Sequence, residues 1–109
     1  MTGELPAPLQ TFVTATNAGD SEAFVEAFSQ DAFLSDWGRE FHGHDGVARW
    51  NRSDNIGKQA HFEVQAVKSA EGGAAVTLTV AVSGNGFNGV SDLVFRLDGD
   101  HITSLVIAP

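Results

Sequence analysis

The hydrophobic pattern of this chain changes period once, near Ser29, and that change constrains the fold more than any other feature. Before it, Leu9, Phe12, Val13 and Thr16, then Phe24, Val25 and Phe28, recur at the spacing of helix faces. From Phe62 onward apolar residues alternate instead: Phe62, Val64 and Ala66, then Val76, Leu78, Val80 and Val82, then Leu93, Phe95 and Leu97. A period of two sends alternate side chains to one face of a sheet. Helices first and closely spaced strands after predict an α+β domain, with an antiparallel meander covered on one face by helices. At 109 residues the chain has material for one modest core, so one domain is expected over residues 1–109.

The punctuation refines this outline. A first helix is expected from Pro8 to Ala18, stopped at Gly19, with Asp20 or Ser21 capping a second. Ser29-Gln30-Asp31 reads as a turn, and Ala32 to Trp37 as a strand. Gly38-Arg39-Glu40 reads as a hairpin-like turn and Phe41-His42 as a short return strand. A third helix is expected from Asp45 to Asn51, followed by a loop over Arg52 to Gly57. Later turns fall at Glu71-Gly72-Gly73, Gly84-Asn85-Gly86 and Leu97-Asp98-Gly99-Asp100, and a last strand at Ile102 to Ile107. The expected core includes Phe12, Phe24, Phe28, Leu34, Trp50, Val64, Leu78 and Phe95.

Charge and composition exclude some classes. Six basic against 14 acidic residues give a net charge of -8, the wrong sign for nucleic acid or an anionic membrane surface. No apolar run approaches a membrane span and the first residues lack the basic start of a signal peptide, so a cytoplasmic protein is expected. Without cysteine there is neither disulfide nor thiol chemistry.

Asp36 is the carboxylate that an apolar strand delivers towards a pocket, followed by Trp37 and Phe41, whose rings could exclude water. In a partly dry site it is a candidate general base; the bland reading is a strand-end Asp capping the Gly38 turn. His42 and His44 lie two apart beside Asp45, but Gly43 between them suggests a loop with exposed histidines, and no metal is expected. His61 opens a strand, where a pocket-facing and a surface role are equally open. The glycine-rich run from Gly84 to Gly89 precedes a strand and not a helix, which makes it a hairpin or bulge and not a phosphate cradle.

The segments FVTATNAGDSEAFVEAF, DAFLSDW, FHGHDGVARW and VFRLDGDHITSLVI together resemble a nuclear transport factor 2-like domain of the SnoaL-like type, over nearly the whole chain. The resemblance implies a cone-shaped, curved antiparallel sheet under three helices from the N-terminal half, a pocket in the cone, and a homodimer through the open sheet face around Thr77, Thr79 and Ala81. It implies no cofactor. Steroid isomerases of the superfamily carry a base where Asp36 stands here. Their oxyanion-holding Tyr is replaced by Phe12 and their second donor, an Asp, by Leu93, so one of three catalytic positions is kept. The acid–Arg–acid arrangement of the epoxide hydrolases is not located in the sequence. The expected pocket is lined by Phe12, Thr16, Phe28, Leu34, Trp37, Phe41, Trp50, His61, Leu93 and Phe95. Two functions stay open: a module binding a small apolar or aromatic molecule, and a cofactor-free isomerase, cyclase or hydrolase with Asp36 as base.

Overall fold

A computed structural model describes residues 5–108. Its elements run α1 (Ala7–Ala18), α2 (Ser21–Glu26), β1 (Phe28–Asp36), β2 (Arg39–His42), α3 (Gly43–Asp54), β3 (His61–Ala70), β4 (Ala75–Ser83), β5 (Gly89–Asp98) and β6 (His101–Ile107). The six strands form one curved sheet in the order β2-β1-β6-β5-β4-β3. The α+β class holds, with all three helices in the N-terminal half.

Local chemistry explains the helical hairpin. Gly19 adopts the left-handed conformation that ends α1, and its neighbour Asp20 caps α2 by accepting a hydrogen bond from the Ala23 N–H at 3.1 Å. The two helices then cover the sheet face carrying Val76, Leu78, Val80, Phe95, Ile102 and Leu105. Phe12 is the hub of this layer. Its ring lies 5.2 Å from Phe24, 5.4 Å from Phe62 and 5.0 Å from Phe95, with no exposed surface. Every expected core residue is buried except Val64, which is half-buried.

Four expectations need correction. The sheet is not wholly antiparallel: β1 runs parallel to β6, with Leu34 opposite Leu105 and Asp36 opposite Ile107. The α1–α2 hairpin feeds β1 in at the far end of the meander, beside the last strand and pointing the same way. Second, Ser29-Gln30-Asp31 is strand and not turn; its polar side chains sit where the β1–β6 register shifts between Phe28 and Phe33. Third, α3 extends beyond both expected ends, to Gly43 and Asp54, and the expected loop closes as a short 3-10 turn over Ile56–Lys58. That turn is tight: a Cβ on Gly57 would lie 1.6 Å from the Arg52 carbonyl oxygen. Fourth, a bulge between Val64 and Ala66 reverses the alternation of β3, so Val67 packs on the core and Ala66 is exposed.

Candidate functional site

The β1–β2 connection is a two-residue hairpin in which Trp37 (φ 53°) and Gly38 (φ 87°) both take positive φ. Such a turn matches the twist of paired strands, but it normally places Asn or Gly where this chain has Trp. Holding a tryptophan there costs about 1–2 kcal/mol of backbone strain. In return, Asp36 and Arg39 become direct cross-strand partners, and the Trp37 ring stands 60% exposed.

Arg39 Nη2 donates to Asp36 Oδ2 at 2.9 Å and also to Asp54 Oδ2 at the end of α3. The Asp54 hydrogen bond, above all, raises the guanidinium above its already high ordinary pKa; the charges of Asp54 and Asp36 act the same way. Trp50, inside α3, donates its indole N–H to the same Asp36 oxygen at 2.9 Å. Both bonds to Asp36 converge on Oδ2, so Oδ1 has no protein partner among the described residues. The side chain is 14% exposed. An acid–Arg–acid cluster is therefore present, assembled from a strand end, a hairpin and a helix end.

The cluster borders a cavity of about 730 Å³. Asp36, Trp37, Arg39, Trp50, Asp54, Asn55 and Lys58 line one side; Phe62, Val82, Phe87, Val90, Leu93 and Ile107 supply apolar surface to the rest, where Ser83, Ser91 and Asp92 also stand. At this wall β6 ends at Ile107, opposite Leu93, while β5 continues back to Gly89.

The candidate base Asp36 and three of the ten expected pocket residues, Trp37, Trp50 and Leu93, line this cavity. Phe12, Phe28, Leu34 and Phe95 do not; they are fully enclosed in the core. Thr16 lies one layer behind the wall, accepting a hydrogen bond from Asn55 Nδ2 at 3.0 Å. Phe41 lies beneath Arg39, whose guanidinium carbon sits 5.7 Å from the ring centre. His61 is exposed at the start of β3, off the wall. His44 is not a loop residue: it sits in the first turn of α3 with Nε2 2.7 Å from the Phe28 carbonyl oxygen. No cluster of potential metal ligands occurs among the described residues.

Arg39, Asp54, Asn55, Lys58 and Phe87 were not expected at a site. Only the Arg39–Asp36 pair carried a usable signal, because residues flanking a two-residue turn face each other. The others come from segments that read as loop.

The family model of the SnoaL-like domain matches residues 9–105, and the chain belongs to that family. No curated protein matches the chain in sequence. Similar solved structures include a candidate polyketide cyclase from Sinorhizobium meliloti, with TM-score 0.82, 21% identity and 94% of each chain covered. Another is the epoxide hydrolase/cyclase-like enzyme SalBIII of pyran ring formation in salinomycin, with TM-score 0.82, 19% identity and coverage of 93% and 86%. A third, from Catenulispora acidiphila, has a ketosteroid isomerase-like fold and was solved with trimethylamine; its TM-score is 0.79 at 18% identity, covering 97% and 87%. At these identities the likeness establishes the fold. No helix among the described residues is long and apolar enough to cross a membrane.

Proposed function

We propose that this domain binds a small, largely apolar molecule in the cavity, with the ligand's polar end at the Asp36–Arg39–Asp54 cluster. The observation that carries the reading is the joining of an apolar wall (Phe62, Val82, Leu93, Ile107) to a hydrogen-bonded charged cluster in one concave space. A cavity of about 730 Å³ is of the size that takes small molecules, and few, fixed polar groups in an apolar setting orient them. That a neighbour of the same fold was solved in complex with trimethylamine supports small-molecule binding by this fold. The test is a ligand screen followed by NMR. Binding should move the resonances of Trp37, Trp50 and the Asp36 carboxyl together, and Asp36→Asn should shift affinity. If ligands that bind leave these signals unmoved, the reading fails.

A second reading is proton-transfer catalysis, and it rests on Asp36 Oδ1. A general base needs one accessible oxygen held in a fixed direction, and the two bonds to Oδ2 hold this carboxylate while leaving Oδ1 open. Asp36 would then take a proton from the substrate, or from a water attacking it, as isomerases, cyclases and hydrolases of the superfamily require. Turnover should fall about a hundredfold or more in Asp36→Asn. Equal turnover in the two proteins rejects catalysis and leaves binding.

The homodimer is part of the same proposal. The outer sheet face presents Thr77, Thr79 and Ala81 beside the exposed Val90, Val94 and Val106, an apolar strip flanked on the same face by Asp92, Arg96, Glu63 and Lys68. Sedimentation at micromolar concentration should give twice the chain mass; a monomer mass throughout rejects the dimer.

A further inference from the structure

Asn55 is a buried polar residue of the cavity wall that stands outside the charged cluster. It follows α3 and is only 1% exposed, yet it borders the cavity. Its Nδ2 donates to Thr16 Oγ1 at 3.0 Å and to Asn51 Oδ1 at 3.1 Å, which uses both amide hydrogens. The orientation of the amide is set by a chain of partners. Asn51 Oδ1 also accepts the backbone N–H of Ile56 at 3.3 Å, so that atom is an oxygen. Asn51 Nδ2 in turn donates to Ser21 Oγ at 3.1 Å. The atom of Asn55 facing Asn51 must then be the nitrogen, which leaves Oδ1 as the remaining polar atom of its side chain.

That Oδ1 has no hydrogen-bond partner among the described residues. Nor is it sealed in: of the fully enclosed side-chain polar atoms there, the one lacking a partner is Ser29 Oγ, which is not on the cavity wall. A locked, almost wholly buried amide with an open carbonyl oxygen at a cavity is an acceptor waiting for a donor. We propose, resting on the binding function above, that Asn55 Oδ1 accepts a hydrogen bond from a hydroxyl on the ligand, which makes the cavity selective for apolar alcohols over the corresponding ketones and hydrocarbons. A hydroxyl suits this wall because it brings a donor without a charge, and the cations Arg39 and Lys58 are already matched in number there by Asp36 and Asp54. The selectivity follows from geometry: a ketone offers no donor, so its binding leaves the Asn55 oxygen without a partner and without water.

The experiment uses three probes of one skeleton, 2-decalol, 2-decalone and decalin, titrated into the intact protein and followed by tryptophan fluorescence and by the side-chain NH2 resonances of Asn55. The alcohol is expected to bind about tenfold or more tighter than the ketone and the hydrocarbon, and to move the Asn55 resonances. Asn55→Ala should abolish the preference. Because that change also removes the bonds to Thr16 and Asn51, the wild-type resonances decide the matter if the variant does not fold. Equal affinity for alcohol and ketone overturns the inference and leaves the pocket standing. A preference for the alcohol with unmoved Asn55 resonances also overturns it, and assigns the hydroxyl to Asp36. Binding of none of the three overturns the inference together with the pocket reading beneath it.

Discussion

Around Phe12 aromatic rings fill space completely; around Trp37 they border space that they leave open. The first group, Phe12, Phe24, Phe28 and Phe95, lies between the α1–α2 hairpin and the sheet, with nothing exposed. The second, Trp37 and Phe87, stands at the rim, 60% and 51% exposed, where the cover from the helices ends. Phe62 belongs to both, stacked on Phe12 at 5.4 Å and lining the cavity. Trp50 joins the charged cluster to the core, stacking on Phe24 at 6.1 Å while its N–H serves Asp36. The contrast teaches that aromatic content alone does not mark a pocket. What marks this one is where helix cover runs out and charged side chains begin.

The sharpest break in the comparison is one substitution made on each side. Phe12→Ala should cost about 3–5 kcal/mol, since the rings around it cannot all collapse into the gap. Phe87→Ala, at the rim, should stay within about 0.5 kcal/mol of the parent. Urea unfolding of both measures the difference, and similar losses would mean that the rim is packed like the core.

At the junction, Trp50→Phe keeps an aromatic ring but removes the donor to Asp36. A loss of about 1–3 kcal/mol is expected, because a largely buried carboxylate oxygen loses a partner. An unchanged urea midpoint would show that the bond contributes nothing.

Trp37→Asn should go the other way and stabilise the fold by about 1 kcal/mol, because Asn-Gly suits two successive positive φ values. The same change should weaken ligand binding. A variant that is more stable and binds as well would show that Trp37 is not part of the site.

The smallest effect concerns pH. Arg39 has its pKa raised on folding, chiefly by the Asp54 hydrogen bond, so its contribution is complete below the ordinary arginine value and is lost only as pH rises through the higher folded value. The stability difference between the parent and Arg39→Met should therefore be the same at about pH 6 and about pH 9, with respect to arginine titration. A difference that changes between them would refute this account.

Much of the fold was legible because its signals are local. The helical spacing of Leu9, Phe12 and Thr16, the stop at Gly19 and the cap at Asp20 each act within a turn of chain. The alternation in β4 and β5 reports a face that one sheet side buries. The parallel partner of β1 was not legible, because pairing direction depends on where two helices deliver the strand. The reach of α3 to Asp54 was hidden by Arg52, Ser53 and Asp54, whose polarity reads as loop although they form its outer last turn. Of the residues lining the cavity, Asp36, Trp37, Trp50 and Leu93 were singled out in the sequence. Asp54, Asn55 and Phe87 meet the β1–β2 hairpin only in three dimensions, and the interior taken for pocket around Phe12 and Phe95 is solid.

The parallel pairing of β1 with β6 carries a kinetic consequence. Leu34 cannot meet Leu105 until nearly everything between them has been brought into place, so closing this pair costs more chain entropy than any hairpin in the meander. The meander of β3 to β6 and the α1–α2 hairpin can form from near neighbours, whereas β1 docks across the whole topology. Because β1 also holds Asp36, and through its hairpin Arg39, the charged cluster is assembled in that late step. During refolding, the far-UV circular dichroism of the meander and the Asp36-linked fluorescence of Trp50 should then separate in time, with the charged cluster the last part of the molecule to become native.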